Sequence, residues 1–380
     1  MNRSTDRILV THQGTLPRDP ELREHVLARD AGKPFESLKL DSRLKTVVKE
    51  LVAKQRSLGI DLVNDGEQSK SGFNYYTRSR FSGFENRDSP PSDVVRFPFD
   101  RDRRDFPGFF GKKTFARQWS YVTGPLKYIG QDQLRTDIDN LKAALPGSGA
   151  AEGVIMAVAP GTIEHWMRNE YYKTQEEFVF ALAEVMAVEY KAITEAGLIL
   201  HIDNPDLADG WQMFPEMSVA QYHAYADVRI EALNKALEGV DPARVIFHVC
   251  WGSYHNPHTN DLPLSELIDL FFKVRAQAVS IEASNPRHEH EWTLFEKVKL
   301  PTDRILIPGV VGHVTDMIEH PELVAQRLIR YANLVGRENV MAGTDCGLGS
   351  RVGHGEICWA KLNALAEGAR IASKTLWGRT

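Results

Sequence analysis

The stretch LILHIDNPDLADGWQMFPEMSVAQYHAYADVRIEALNKALEGVDPARVIFHVC (Leu198–Cys250) decides the fold. It opens on a short apolar run, Leu198–Asp203, and closes on another, Val245–Cys250; between them Tyr222 to Leu237 carries apolar side chains at helical spacing. Strand, helix, strand in one such unit is a parallel βαβ crossover, which is right-handed. The same alternation extends both ways. Further strands are predicted at Ile8–His12, Leu62–Asp65, Val154–Val158, Ala278–Glu282, Ile305–Val311 and Val340–Asp345, with amphipathic stretches at Thr174–Glu195, Leu264–Ala276 and Pro321–Leu334. Eight strands alternating with helices predict an α/β fold, a (β/α)8 TIM barrel spanning residues 1–380 as one unit. The periodicity also fits an open doubly wound sheet, although no strand is followed by the Gly-x-Gly-x-x-Gly turn of a dinucleotide site.

One region breaks the rhythm. A long excursion, residues 70–150, separates the second and third predicted strands. Its part from Lys70 to Gln118 holds eleven Lys+Arg against six Asp+Glu, interleaved with aromatics and prolines. An irregular βα insertion of this length is a lid, a substrate loop or an oligomer contact. The arginines from Arg78 to Arg117 are expected either to form a solvated arm or to draw an anionic substrate group toward the barrel mouth.

The composition is that of an ordinary globular chain: 380 residues, 42% hydrophobic, 26% charged, formal net charge −5. These values exclude a largely disordered or collagen-like chain, and the mild negative charge disfavours nucleic acid as a partner. No apolar run approaches the ~20 residues of a membrane span, since the best candidate, Phe178 to Val188, already contains Glu184. The N-terminus shows no signal-peptide pattern. Only three cysteines occur, Cys250, Cys346 and Cys358, too few and scattered for a disulfide framework. The expectation is a reducing, cytoplasmic location with free thiols and no membrane partner.

The working end of such a barrel is the C-terminal end of its strands. Those ends are polar here: Thr11-His12-Gln13-Gly14-Thr15, Asp65-Gly66-Glu67, Ile202-Asp203-Asn204-Pro205, His248-Val249-Cys250, Glu282-Ala283-Ser284, His313 and Asp345-Cys346-Gly347. His248 and Cys250, two apart on one strand, share a face. With Cys346 and Glu282 at other strand ends they make one imidazole, two thiols and a carboxylate, a ligand set suited to tetrahedral zinc. The alternative for His-x-Cys alone is a buried core pair. Cys358 falls in a helical stretch and is read as core.

Taken in order, these motifs resemble the catalytic barrel of the cobalamin-independent methionine synthases and their single-barrel relatives, including epoxyalkane:coenzyme M transferases. Thr11 to Arg18 is similar to that family's opening signature, and the resemblance continues through the strand ends above to Asp345-Cys346-Gly347. It implies a catalytic Zn2+ on His248, Cys250, Glu282 and Cys346, and a thiol substrate that joins the metal as thiolate and attacks a carbon electrophile. Glu282 is the ligand expected to loosen. The resemblance further implies that Glu67 and Asp203, with Gly14 and Thr15, hold the amino acid part of homocysteine. Two departures stand out. Asn204 replaces a Glu usual in the synthases, and Gly309 to His313 lacks an Asp-Ile-His-Ser run, so His313 is the residue expected to supply the acid. The thiol is homocysteine with a methyl donor, or coenzyme M with an epoxide, with methyl transfer to homocysteine favoured. A metal-free uroporphyrinogen decarboxylase-type barrel is the reading from another class, and a homo-oligomer is compatible with all three.

Overall fold

A computed structural model describes residues 1–88, 96–111, 119–349 and 351–378. Eight parallel strands form a nearly closed barrel: β1 (Leu9–Val10), β2 (Leu62–Asn64), β3 (Glu152–Val158), β4 (Ile199–Asp203), β5 (Val245–Val249), β6 (Ala278–Glu282), β7 (Ile305–Val311) and β8 (Met341–Thr344). Around the barrel the order runs β1-β8-β7-β6-β5-β4-β3-β2, every pair parallel. The seam between the two shortest strands, β1 and β2, is closed from Asp61. Its N–H donates to the Val10 carbonyl at 2.8 Å, and its carboxylate accepts from the Val10 N–H at 3.0 Å while Arg7 grips both oxygens. All eight strands predicted from the sequence are present: β6 and β7 have the predicted bounds, β3 starts two residues earlier, β2, β4, β5 and β8 are shorter by one or two residues, and β1 by three. Cys250 therefore lies just beyond its strand rather than at its end, and Cys346 lies two residues past the end of β8.

Helices cover the outside. Ser37–Leu58 buries Leu40, Leu44, Val47, Val48, Leu51 and Val52, a stripe at spacings of three and four, and stops at Gly59, whose φ of 93° lets the chain turn back. Gln175–Glu195 starts on Thr174, whose side chain accepts from the Glu177 N–H, and Val219–Ala236 starts on a Ser218–Gln221 capping box. After β6 the usual α-helix is replaced by 3-10 helix over Glu289–Glu296. Among the described residues no helix is long and apolar enough to cross a membrane.

Most apolar side chains sit between strands and helices, but a second, smaller cluster fills the barrel itself: Leu9, Leu62, Val154, Met156, Ile199, Ile246, Ala278, Ile305, Ile307 and Met341. Every strand contributes. Because side chains alternate, the next inward positions toward the C-terminal ends are two residues on, and there the lining becomes polar: Ile199 gives way to His201 and Asp203, Ile246 to His248, Ala278 to Ser280 and Glu282. The apolar plug thus lies at the bottom, under a polar top.

The excursion is a small structure of its own. Phe81–Arg87 pairs antiparallel with Trp119–Tyr128, Met167–Asn169 adds a third strand parallel to the latter, and helix Gln131–Ala144 returns the chain to the barrel. Segments 89–95 and 112–118 of the arginine-rich run, including Arg117, lie outside the described residues.

Candidate metal centre and substrate cleft

β5 aims His248 inward, and Cys250 follows one residue past its end. Cys346 comes from the turn after β8. The ligand-capable atoms of these three lie within 4.8 Å of one another. His248 is fully buried; its Nδ1 is 3.0 Å from the Ser280 hydroxyl on the adjoining strand, whereas its Nε2 has no partner. A buried imidazole fixed at one nitrogen and bare at the other is prepared to donate that lone pair to a metal. The two thiols interact directly, so that Cys346 is held well below the usual thiol range while Cys250 is pushed up; the pair gives up one proton readily and keeps the second. The Ser253 hydroxyl donates to the Cys346 sulfur at 2.9 Å. This donor set, one imidazole and two thiols beneath an open cleft, fits zinc.

Glu282 does not join that cluster. It ends β6 as expected, but Oε1 accepts from the Trp251 N–H at 3.0 Å and Oε2 from the Asn285 amide at 2.7 Å. Burial, with the nearby Asp345 carboxylate, pushes Glu282 up to about 8. Asp345 is held by the Ala283 and Ser284 N–H groups and the Ser284 hydroxyl. Gly309 is required beside it, because a Cβ there would lie 2.5 Å from the Asp345 Cα.

Above the cluster opens a cleft lined among others by Thr15, Glu67, Asp203, Asp209, Cys250 and Cys346. Gly14, Thr15, Glu67 and Asp203, all singled out in the sequence, therefore do meet at one wall. Thr15 donates its hydroxyl to Glu67. Gly14 sits at φ +35°, and a Cβ there would approach the Glu67 carboxylate to 3.1 Å. Glu67 itself adopts a left-handed φ of 55°, unusual for a side chain of its size, and its N–H is held by Asp65 at 3.0 Å. Asp203 keeps one oxygen buried without a partner, and burial together with Cys346 and Glu67 raises it well above the carboxylate range. An ammonium group is the natural complement to this wall.

His313 is buried with both ring nitrogens unpartnered, and burial pushes it down to about 4. It is not among the residues lining the cleft. Four arginines of the arginine-rich run are engaged within the chain. Arg80 pairs with Asp137 and Glu189, Arg87 with Glu85 and Glu170, and Arg96 with Glu216. Arg101 stacks on Trp211 and donates to the Trp211, Phe214 and Met217 carbonyls. These guanidinium groups fasten the excursion to the chain itself.

The sequence reading missed Asp209, Ser253, Tyr254 and Arg351. Asp209 lies on helix Asp206–Met213, directly after β4; it is buried, one oxygen lacks a partner, and burial with Asp206 and Asp203 raises it far above its ordinary value. Its signal was the pair of aspartates opening the helix after Asp203-Asn204-Pro205. Arg351 lies two residues beyond the Gly-rich turn at Cys346 and had no such signal. Cys358 is buried in helix Gly355–Trp377, away from the cleft.

A family model described as the catalytic domain of the cobalamin-independent synthase matches residues 123–370. The methionine synthase of Sulfurisphaera tokodaii is 25% identical over 374 residues, 96% of this chain and 92% of that protein. That of Sulfolobus acidocaldarius is 26% identical over 375 residues, covering 96% and 91%. The solved structure of a B12-independent methionine synthase from a Shewanella species, in complex with selenomethionine, matches with a TM-score of 0.75 at 20% identity over 98% of this chain and 99% of that one. At that identity the likeness concerns the fold.

Proposed function

The chain belongs to the cobalamin-independent methionine synthase catalytic-domain family, and on that premise we propose that it transfers a methyl group to the sulfur of homocysteine, with zinc held by His248, Cys250 and Cys346. The observation carrying this reading is the convergence of those three side chains at the floor of a cleft walled by Glu67 and Asp203. Bound there, zinc would deprotonate a substrate thiol and keep it nucleophilic at neutral pH.

The remaining work falls to the chain. Glu67, oriented by Thr15 and by its strained backbone, and Asp203 receive the ammonium group, which aligns the sulfur over the metal cluster. Glu282 stands in reserve as a fourth ligand. As the sulfur–carbon bond forms, the methyl–donor bond breaks and its electron pair stays on the donor, which then takes a proton. Asp209, kept protonated by burial, faces the cleft and is placed to provide it, whereas His313 lies outside the cleft lining with neither ring nitrogen partnered.

The test is metal analysis joined to methionine formation. Close to one zinc per chain is expected, with Cys250→Ser and Cys346→Ser each losing metal and activity. Coenzyme M with an epoxide, run beside homocysteine with a methyl donor, separates the two alkyl-transfer chemistries. Retention of zinc and full activity in both cysteine variants would sink the assignment.

A further inference from the structure

The wall formed by Glu67 and Asp203 suits an ammonium group and disfavours a carboxylate, so an amino acid in this cleft needs a cation for its other end. Among the described residues lining the cleft, Arg351 is the only lysine or arginine. Whereas Arg80, Arg87, Arg96 and Arg101 are engaged within the chain, the Arg351 guanidinium has no hydrogen bond or ion pair among the described residues. Its backbone, by contrast, is fixed. The Gly349 N–H donates to the Thr15 carbonyl at 2.8 Å, the Arg351 and Val352 N–H groups donate to the Leu348 carbonyl at 3.0 and 3.1 Å, and the Gly353 N–H donates to Asp316 at 2.7 Å. The turn that delivers Cys346 to the metal cluster is thereby tied to Thr15, the residue that orients Glu67, and it seats Arg351 at the exposed rim of the same cleft. The guanidinium faces the Tyr254 ring, its carbon 6.0 Å from the ring centre, and Tyr254 is braced edge-on by Phe99 of the excursion at 5.5 Å and 75°. An aromatic face steadies the long side chain and leaves its five N–H donors to a ligand.

We infer that Arg351 is a specificity-determining residue that grips a carboxylate of a bound substrate through its guanidinium fork. The inference rests on the homocysteine reading above and adds to it the group that selects for an acid end. A planar fork of parallel N–H donors matches the two oxygens of a carboxylate, which a point charge does not. Two substrates can bring that group to the rim: homocysteine through its α-carboxylate, or the methyl donor through a carboxylate of its own. In either case the grip lies away from the reacting sulfur and acts on ground state and transition state alike. Its loss therefore raises KM and leaves kcat in place.

The experiment uses the full zinc-loaded chain with Arg351→Ala and Arg351→Lys. Calorimetry gives the Kd of homocysteine and of 3-aminopropanethiol, which is homocysteine without its carboxylate. Steady-state kinetics give the KM of homocysteine and of the methyl donor that supports methionine formation. Losing a charge-assisted fork should raise the affected constant about 10- to 100-fold in Arg351→Ala, with kcat and zinc content kept. Arg351→Lys retains the charge without the fork and should fall between. Where the carboxylate is that of homocysteine, its Kd rises and the 3-aminopropanethiol Kd does not; where it is the donor's, both thiol Kd values hold and the donor KM rises. The bonds that fix this turn are made by backbone N–H groups, so both variants should keep the wild-type Tm. Homocysteine Kd and donor KM within about twofold of wild type in Arg351→Ala, or an equal loss for the two thiols, overturns the inference while leaving the homocysteine site standing. A wild-type zinc-loaded chain that binds neither thiol overturns the underlying reading instead.

Discussion

Removing the Ser280 hydroxyl should weaken zinc binding without unfolding the barrel. Ser280 stands beside His248 across β5 and β6, with its oxygen 3.0 Å from Nδ1, and both residues are buried. For Nε2 to ligate a metal, the ring proton must sit on Nδ1 and be donated to Ser280. In the metal-free Ser280→Ala protein the imidazole can change tautomer, but in the loaded protein it cannot, so a buried N–H is left without an acceptor. That costs about 1–3 kcal/mol, and with about 1.4 kcal/mol per decade the zinc Kd should rise roughly 10- to 100-fold. The substitution deletes a single oxygen, so the cavity it leaves is small. Chelator competition gives the Kd, and thermal unfolding of the metal-free protein checks the fold. Ser280→Thr, which keeps the hydroxyl, should restore most of the affinity. A Ser280→Ala protein with unchanged Tm and a zinc Kd within about twofold of wild type would refute the argument that this hydrogen bond orients the ligand.

Gly14→Ala, forced to hold φ near +35° and to press on Glu67, should raise the KM for homocysteine about tenfold or more with zinc content unchanged, as steady-state kinetics and metal analysis would show. Asp261 binds two buried histidines, His258 at 2.7 Å and His288 at 3.2 Å, and His288 also meets Glu291 at 2.9 Å. These carboxylates lift both imidazoles to about 9 against desolvation, with Glu282 also facing His258. Folded values above the unfolded one mean that this stability is complete below about pH 6.5 and is lost as pH rises through 9, an effect on the order of 3 kcal/mol for each imidazole. Unfolding midpoints between pH 6 and 10 should fall accordingly in wild type and stay flatter in Asp261→Asn. Arg101→Ala removes the stacking on Trp211 and three carbonyl contacts, so the excursion should become sensitive to limited proteolysis while the barrel keeps its Tm within a few degrees.

The strands were legible because their signal is local. Ile246 and His248 face the barrel interior for the same period-two reason that made Leu198–Asp203 and Val245–Cys250 readable as strands. The polar strand ends could be recognised as a site since several carboxylates and thiols at the tops of buried strands have few structural uses. Other features depended on contacts far apart in sequence. The charge excess of Lys70–Gln118 suggested an anion clamp, yet Arg80, Arg87, Arg96 and Arg101 find carboxylates and carbonyls elsewhere in the chain. Asp209 became visible only once helix Asp206–Met213 was seen to open onto the cleft.

What the sequence determined by itself was a barrel whose strands end in ligand-capable and acidic residues, since hydrophobic periodicity and residue type are properties of short segments. Which of those residues meet was decided by barrel closure, which brings the end of β5 and the turn after β8 to within 4.8 Å. Tertiary structure alone also supplied the Glu282 carboxylate with its donors, the Trp251 N–H and the Asn285 amide, which come from other segments than β6.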